Sequence, residues 1–204
     1  LNEIKRNKIN LYLNKEFKKN NLKDYDKVII ATYSNNNNIL SSLGIKKIST
    51  NKYQLVEKIL IKLPKEHERK SYVVIDGNFV CVDPYLGTSY HLLSDVKLSK
   101  LETLISKYPN FYSFKKRYLN KGLIKNIKVS RFRTFISNSS KYLPFLKKAK
   151  YIGSMFVVRA LKINKENTDE RVTSINYHNK KIISVFSGKW NNCIYLAKNL
   201  NLNK

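Results

Sequence analysis

Lysine and arginine are the residues of this chain that most clearly indicate a binding chemistry, which is the binding of anions. Forty of them stand against fourteen Asp and Glu, which leaves a formal net charge of +26 on 204 residues. Such a charge destabilises a compact chain by self-repulsion, whereas each cation placed on a nucleic-acid phosphate releases a condensed counterion. The charge therefore predicts a nucleic-acid partner.

The basic charge is densest over residues 111–150, where no acidic residue occurs. Eight aromatic residues are interleaved with the cations: Phe111, Tyr112, Phe114, Tyr118, Phe132, Phe135, Tyr142 and Phe145. Exposed aromatics could stack on bases, at about 1–3 kcal/mol per base. Burial in a core is the more common fate of Phe and Tyr. Under either interpretation, this segment is predicted to contact RNA through its cations.

Catalytic chemistry has weaker support in the sequence. Cys81, Asp83 and His91 are the residue types of a Cys–His–Asp hydrolase, but Cys81 falls inside a predicted strand. The histidines are too dispersed for a zinc site, and no GxxxxGK phosphate loop occurs. Cys81 and Cys193 are predicted to be buried free thiols in a reducing compartment. We expect no enzymatic activity, no catalytic or metal-binding residue, and no cofactor.

The elements that would position these residues indicate an α+β fold. The hydrophobic pattern predicts a basic arm at 1–23, a strand at 28–33, helical pieces at 39–45, 53–63 and 98–105, strands at 151–163, 171–176 and 181–186, and a short helix at 190–204. Two β-rich runs within 72–82 flank Asp76-Gly77-Asn78, a strong hairpin signal because these residues tolerate positive φ.

These elements divide the chain into four predicted regions. They are a basic N-terminal arm at 1–38, a helix-hairpin RNA-binding domain at 39–98, a basic aromatic insertion at 99–150, and C-terminal antiparallel strands with a tail at 151–204. The fold class predicted is thus a small helix-plus-hairpin domain with basic helical or irregular extensions and a C-terminal antiparallel hairpin.

The order of several short runs resembles the bacterial and organellar small-subunit ribosomal protein four family. The runs are Leu-Ser-Ser-Leu-Gly-Ile at 40–45, Gln-Leu-Val at 54–56, Val-Val-Ile-Asp-Gly at 73–77, Phe-Val-Cys-Val at 79–82, Asp-Pro-Tyr at 83–85, Ile-Asn-Tyr at 175–177 and Ile-Ile-Ser-Val at 182–185. The chain departs from the family at Ser41, Ser42, Lys52, Tyr53 and Asp76, and residues 58–70 add length. The resemblance implies a divergent mitochondrial member whose Gln-Leu-Val run lies in a helix.

The resemblance implies a structural protein that binds small-subunit rRNA, contacts neighbouring ribosomal proteins and supports assembly and translation. Structured RNA is recognised largely through shape and phosphate contacts. The residues predicted to bind RNA are Lys46, Lys47, Lys52, Lys58, Arg69, Lys70, Lys115, Lys116, Arg117, Lys121, Lys125, Lys128, Arg131, Arg133, Lys147 and Lys148. The alternative is a nonspecific DNA- or RNA-binding packaging protein, because its charge would be the same.

Composition also suggests a location. Lys and Asn are abundant, Met155 is the one Met, and the first residues contain no apolar secretory segment. An AT-rich organellar gene would produce this bias, so we expect the mitochondrial matrix, with the cytoplasm as the alternative. No run of apolar residues approaches the length of a membrane helix, so no membrane partner is expected. A structural RNA-binding protein also needs no small-molecule substrate, and none is expected.

Overall fold

Two β-sheets organise the chain in the computed structural model, which describes residues 2–75, 79–163 and 172–202. The strands are β1 Val28–Ile30, β2 Asn51–Lys62, β3 Tyr72–Val74, β4 Val80–Pro84, β5 His91–Asp95, β6 Lys100–Ser106, β7 Ile124–Lys125, β8 Lys150–Leu161, β9 Thr173–Tyr177 and β10 Ile182–Ser187. The α-helices are α1 Asn2–Arg6, α2 Asn36–Ser42, α3 Phe132–Ser139 and α4 Cys193–Asn199. The remaining regular elements are short 3-10 helices. The α+β class is confirmed.

Strand β2 is the centre of the larger sheet. It pairs with β8 from end to end, and its other edge pairs with β6 in the first half and with β5 in the second. The prediction of a helix at 53–63 is therefore wrong, as is that at 98–105, which contains β6. Leu55, Val56, Ile59 and Leu60 are buried on both faces of the sheet. Because both faces are covered, β2 lacks the alternation of a half-exposed strand and resembles a buried helix in sequence.

The described part of the larger sheet contains seven strands in the order β3-β4-β5-β2-β8-β7, with β6 also on β2. β3 and β4 pair as an antiparallel hairpin, as the sequence predicts, while its turn at 76–78 lies outside the described residues. No specific RNA-binding architecture is confirmed for this hairpin. No helix among the described residues is long and apolar enough to cross a membrane.

The smaller sheet joins distant parts of the chain. β10 pairs in parallel with β1 and antiparallel with β9, so the strands predicted near 28–33, 171–176 and 181–186 are confirmed, together with the C-terminal hairpin. The short helix predicted in the tail corresponds to α4. The arm at 1–23 is helical at α1 and at the start of the 3-10 helix Lys19–Asp24, and otherwise irregular.

One face of the larger sheet packs on α3 and the segment after it. Ile59, Val82 and Leu93 from three adjacent strands contact Phe135 of α3 and Leu146, all of them buried. A buried side chain of this size contributes about 1.5–3 kcal/mol relative to an exposed one. This packing fixes which face of the sheet α3 covers; on the opposite face, Gln54 and Val56 of β2 are also buried, and Lys58 is half-buried.

Candidate ligand-binding face

The face of the larger sheet opposite α3, called the open face below because a cavity lies over it, carries every second residue of β2. Side chains alternate between the faces of a strand, so Gln54, Val56 and Lys58 lie on the open face. Leu55 and Ile59 point to the packed side, where they belong to the buried core. Alternation thus places one basic and two other side chains in a line along the central strand.

Lys58 lies in a row of side chains that crosses four strands. Its Nζ donates a hydrogen bond to Ser94 Oγ at 3.0 Å, and Ser94 of β5 is directly opposite Cys81 of β4. On the other side, Lys58 is paired with Met155 of β8. Directly paired residues share a face, so the ammonium group stands among a hydroxyl, a thiol and a thioether.

Burial and neighbouring charge alter the protonation of this row. Burial lowers the pKa of Lys58, and the nearby Arg159 lowers it further, while Cys81 and Asp83 act in the opposite direction. Burial also raises the pKa of the Cys81 thiol, and Asp83 adds to that rise. A neighbouring like charge disfavours the ammonium form of Lys58, which is the direction of the Arg159 contribution.

Arg159 occupies the β8 end of the open face. It is paired in register with Gln54, and its Nη1 donates to Gln54 Oε1 at 3.5 Å. Four residues along β8 separate Arg159 from the partner of Lys58, which is a span of about 13 Å at a rise of about 3.3 Å per residue. Val56 and Val157 are paired between the two cations and form an apolar floor, with Val157 39% exposed.

A cavity of about 350 Å³ lies over this part of the sheet. Its lining includes Lys58, Lys100 and Arg159, together with the partly exposed Phe79. Asp95 is the one acidic residue among the described residues that line it. The local charge of the cavity is therefore positive.

The Asp95 carboxylate is already engaged in a turn. Its Oδ1 accepts hydrogen bonds from the backbone N–H groups of Lys97 and Leu98, each at 2.8 Å, and its Oδ2 accepts one from Asn138 Nδ2 at 2.7 Å. Both oxygens are thus committed to local structure. Asp95 therefore stabilises the turn that follows β5.

Glu57 supports the open face from the opposite side of β2. Its side chain is fully buried and accepts hydrogen bonds from Ser130 Oγ at 2.6 Å, Ser154 Oγ at 2.7 Å and the Arg131 N–H at 3.2 Å. These bonds connect β2, β8 and the start of α3 beside Lys58. Sequence reasoning missed this residue, although an acidic side chain inside an apolar run signals a buried polar contact.

The Cys–His–Asp arrangement considered from the sequence does not form. Cys81 and Asp83 lie on one face of β4, whereas His91 is paired with Pro84 and lies on the other face. His91 is buried on that other face. The expectation of two buried thiols is also wrong, because Cys81 is half-buried and Cys193 is exposed.

The residues predicted to bind RNA are spread over many elements. Lys46 and Lys47 follow α2, Lys52 and Lys58 lie in β2, Arg69 and Lys70 precede β3, Lys115, Lys116 and Arg117 lie on the 3-10 helix Phe114–Tyr118, Lys121 follows it, Lys125 is in β7, Lys128 and Arg131 precede α3, Arg133 is in α3, and Lys147 and Lys148 lie on the 3-10 helix Pro144–Lys148.

Two members of that set take part in the local structure just described. Lys58 belongs to the open face, and Arg131 Nη1 donates to the backbone oxygens of Leu98 and Lys100. Arg159 and Lys100 were missed, although a lone arginine within the apolar strand at 151–163 was a usable signal. The RNA-binding role of the set as a whole stays a prediction.

Comparison with known proteins found likeness in structure at low sequence identity. No family model matches it, and no curated protein matches its sequence. Glycine oxidase from Geobacillus kaustophilus resembles it with a TM-score of 0.49 and 10% identity, over 81% of this chain and 37% of that one. Iminodiacetate oxidase from Chelativorans sp. BNC1 gives a TM-score of 0.47 and 13% identity, over 79% and 37%. Neither is a ribosomal protein.

These findings correct the functional expectations from the sequence. The proposed membership of the ribosomal protein four family is contradicted, as are the structural ribosomal role, its nucleic-acid-packaging alternative and the expected lack of enzymatic activity, because both solved structures are oxidases. The chain spans little more than a third of either oxidase. Likeness at this level identifies neither an activity nor a ligand for this chain.

The structural reason for the misleading resemblance lies in β2. The Gln-Leu-Val run at 54–56 was matched to a helix of the ribosomal family, but it forms the middle of a twelve-residue strand. Short runs of apolar residues occur in both contexts, and periodicity cannot distinguish them when both faces are buried.

Proposed function

We propose that the open face binds a small organic carboxylate between Arg159 and Lys58. The observation that carries this proposal is the pairing register of β2 and β8, which brings two cations from distant parts of the chain to one side of the Val56–Val157 floor. The proposal replaces the expectation of no small-molecule substrate with a defined ligand class.

The chemistry of the three parts favours a carboxylate. A guanidinium presents a planar fork that matches the two oxygens of a carboxylate, and Arg159 supplies it. The half-buried ammonium of Lys58 adds a point charge, and valine side chains suit the hydrocarbon part of a ligand. Asp95 does not compete, because its oxygens accept bonds from its own turn.

The charge of Lys58 also favours the binding of an anion. Burial lowers the pKa of Lys58 and Arg159 lowers it further, against the opposing effects of Cys81 and Asp83, so the surroundings disfavour the ammonium form. A bound carboxylate would stabilise both cations and offset their mutual repulsion. The binding energy of an anion is therefore expected to exceed that of a neutral molecule of the same shape.

Isothermal titration calorimetry with matched ligands tests this proposal. Phenylacetate and its neutral analogue phenylacetamide differ in charge but little in shape, and the titrations are made at a fixed ionic strength of about 0.15 M, where exposed charges are screened beyond about 8 Å. We expect phenylacetate to bind at least ten times more tightly than phenylacetamide. Tenfold corresponds to about 1.4 kcal/mol, within the range of one charge-assisted hydrogen bond.

Variants locate the site. R159Q is expected to weaken phenylacetate binding at least tenfold, and K58Q to weaken it severalfold. R6Q is the matched control, because Arg6 is exposed on α1 and loses the same charge. Equal affinity of R159Q and R6Q, or equal binding of the acid and the amide, would show that carboxylates do not bind here. Far-UV circular dichroism confirms that each variant is folded.

A further inference from the structure

A second cavity lies at the junction of the two sheets. Its volume is about 250 Å³, and it is lined by residues of α2, β9 and β10, by the start of β2 and the segment before it, and by Lys162, which follows β8. Lys162 is its principal cation, and it follows Arg159 along the chain by three residues. Side chains alternate along β8, so Arg159 and Ala160 point to opposite sides, and this cavity lies on the Ala160 side with Phe186.

The walls of this junction cavity are held by amide groups. Asn37 is buried, and its Nδ2 donates to the backbone oxygens of Ser49 and Lys107, each at 2.7 Å. Asn51 is also buried, and its Nδ2 donates to Tyr53 Oη at 3.2 Å. The Asn37 amide therefore connects α2 to the segments beside β2 and β6, and the Asn51 amide is fixed within β2, so this part of the cavity wall is preformed.

Lys162 is held in the cavity by neutral groups. Its Nζ donates to Asn51 Oδ1 at 3.2 Å and lies 4.9 Å from the centre of the Phe186 ring. Burial lowers the pKa of Lys162. An ammonium group has three donors, and the amide oxygen and the aromatic face satisfy it only in part.

The rest of the described lining combines polar side chains with the apolar Leu40 and Ile48. Lys47 supplies a second cation, and Ser184 is buried and hydrogen-bonded through Oγ to His178 Nε2 at 2.8 Å. Burial lowers the pKa of His178, so its imidazole is neutral near pH 7. Among the described lining residues there is no Asp or Glu.

We propose that the junction cavity binds a small phosphorylated polyol, with the phosphate on Lys162 and the hydroxyl groups on the amide and serine side chains. Lysine is a common phosphate ligand because its ammonium is a compact charge with three donors. Asparagine and serine both donate and accept hydrogen bonds, which matches hydroxyl groups. This site is separate from the carboxylate site, and neither proposal requires the other.

Calorimetric titration with ribose 5-phosphate, using ribose as the neutral comparison, tests the proposal at an ionic strength of about 0.15 M. Ribose 5-phosphate should bind saturably with one site and at least tenfold more tightly than ribose. K162Q should reduce its affinity at least tenfold, whereas K62Q should change it less than twofold, because Lys62 is exposed at the end of β2 and carries the same charge.

A second variant guards against a folding defect in K162Q. Asn176 lines the cavity from an exposed position, so N176D should fold normally and weaken binding severalfold by placing a carboxylate beside the phosphate. R159Q should leave ribose 5-phosphate binding unchanged, and K162Q should leave phenylacetate binding unchanged. The proposal is wrong if binding is not saturable, if ribose binds as tightly as its phosphate, or if K162Q and K62Q behave alike.

Discussion

Removing the buried Glu57 side chain should destabilise the protein far more than removing an exposed carboxylate. In E57A the Arg131 N–H loses its carboxylate acceptor, at about 1–3 kcal/mol. Ser130 and Ser154 keep a hydrogen bond to each other at 3.2 Å. Each therefore loses only the difference in free energy between a hydrogen bond to a carboxylate and one to a neutral group, about 1 kcal/mol. The expected loss is about 3–5 kcal/mol, in line with other broken buried charge contacts.

The assay is urea unfolding followed by far-UV circular dichroism. Fluorescence would be a poor probe, because the one tryptophan, Trp190, is 89% exposed in the structure. E57Q keeps one acceptor oxygen and should lose about 1–2 kcal/mol, between wild type and E57A. E16A is the control, since Glu16 is exposed and surface changes fall within about 0.5 kcal/mol.

The result has a clear consequence for the site. If E57A and E16A unfold at the same urea concentration with the same slope, the hydrogen bonds of Glu57 do not stabilise the sheet. Because Glu57 is adjacent to Lys58, that outcome would also remove the structural basis for a rigid open face.

Two further predictions concern the same sheet. Because burial lowers the folded-state pKa of Lys58 below its usual 10.5, the unfolded chain binds more protons between the two values, so wild-type stability should rise with pH in that window. The stability advantage of K58M over wild type, measured by urea unfolding from pH 7 to 10.5, should therefore shrink as pH rises. A difference that stays constant over this range would contradict the prediction. Gly153 of β8 has no room for a side chain, because an added Cβ would lie 2.5 Å from the Ile124 backbone oxygen. G153A should lose about 1–3 kcal/mol by displacing β7, and unchanged thermal unfolding would show that β7 moves freely.

Local sequence was sufficient where neighbouring residues decide the structure. The β3–β4 hairpin was predicted from its turn residues, and β9–β10 from two short apolar runs around a polar turn. The helix predicted at 39–45 corresponds to α2, which begins three residues earlier, and the short helix in the tail was also predicted. In each case the partner of an element lies within a few residues, or the element needs no partner to form.

Distant pairing decided the rest. β2 and β6 were predicted to be helices because their apolar residues recur at spacings that suit a buried helix, and nothing nearby reveals their sheet partners. This error also led to the wrong functional prediction, because the resemblance to the ribosomal family depended on a helix at Gln54. Context of this kind overrides intrinsic propensity routinely.

The candidate site shows the same division. By itself the sequence determined the basic charge, the α+β class and the local hairpins, because composition, turn chemistry and short apolar runs act over a few residues. Only the tertiary structure decided which cations share a face of the sheet. Lys58 and Arg159 are about a hundred residues apart in sequence, and the register of β2 with β8 brings them to one face. Register arises from the packing of whole faces, in which a shift of one residue would move every side chain to the opposite side of the sheet.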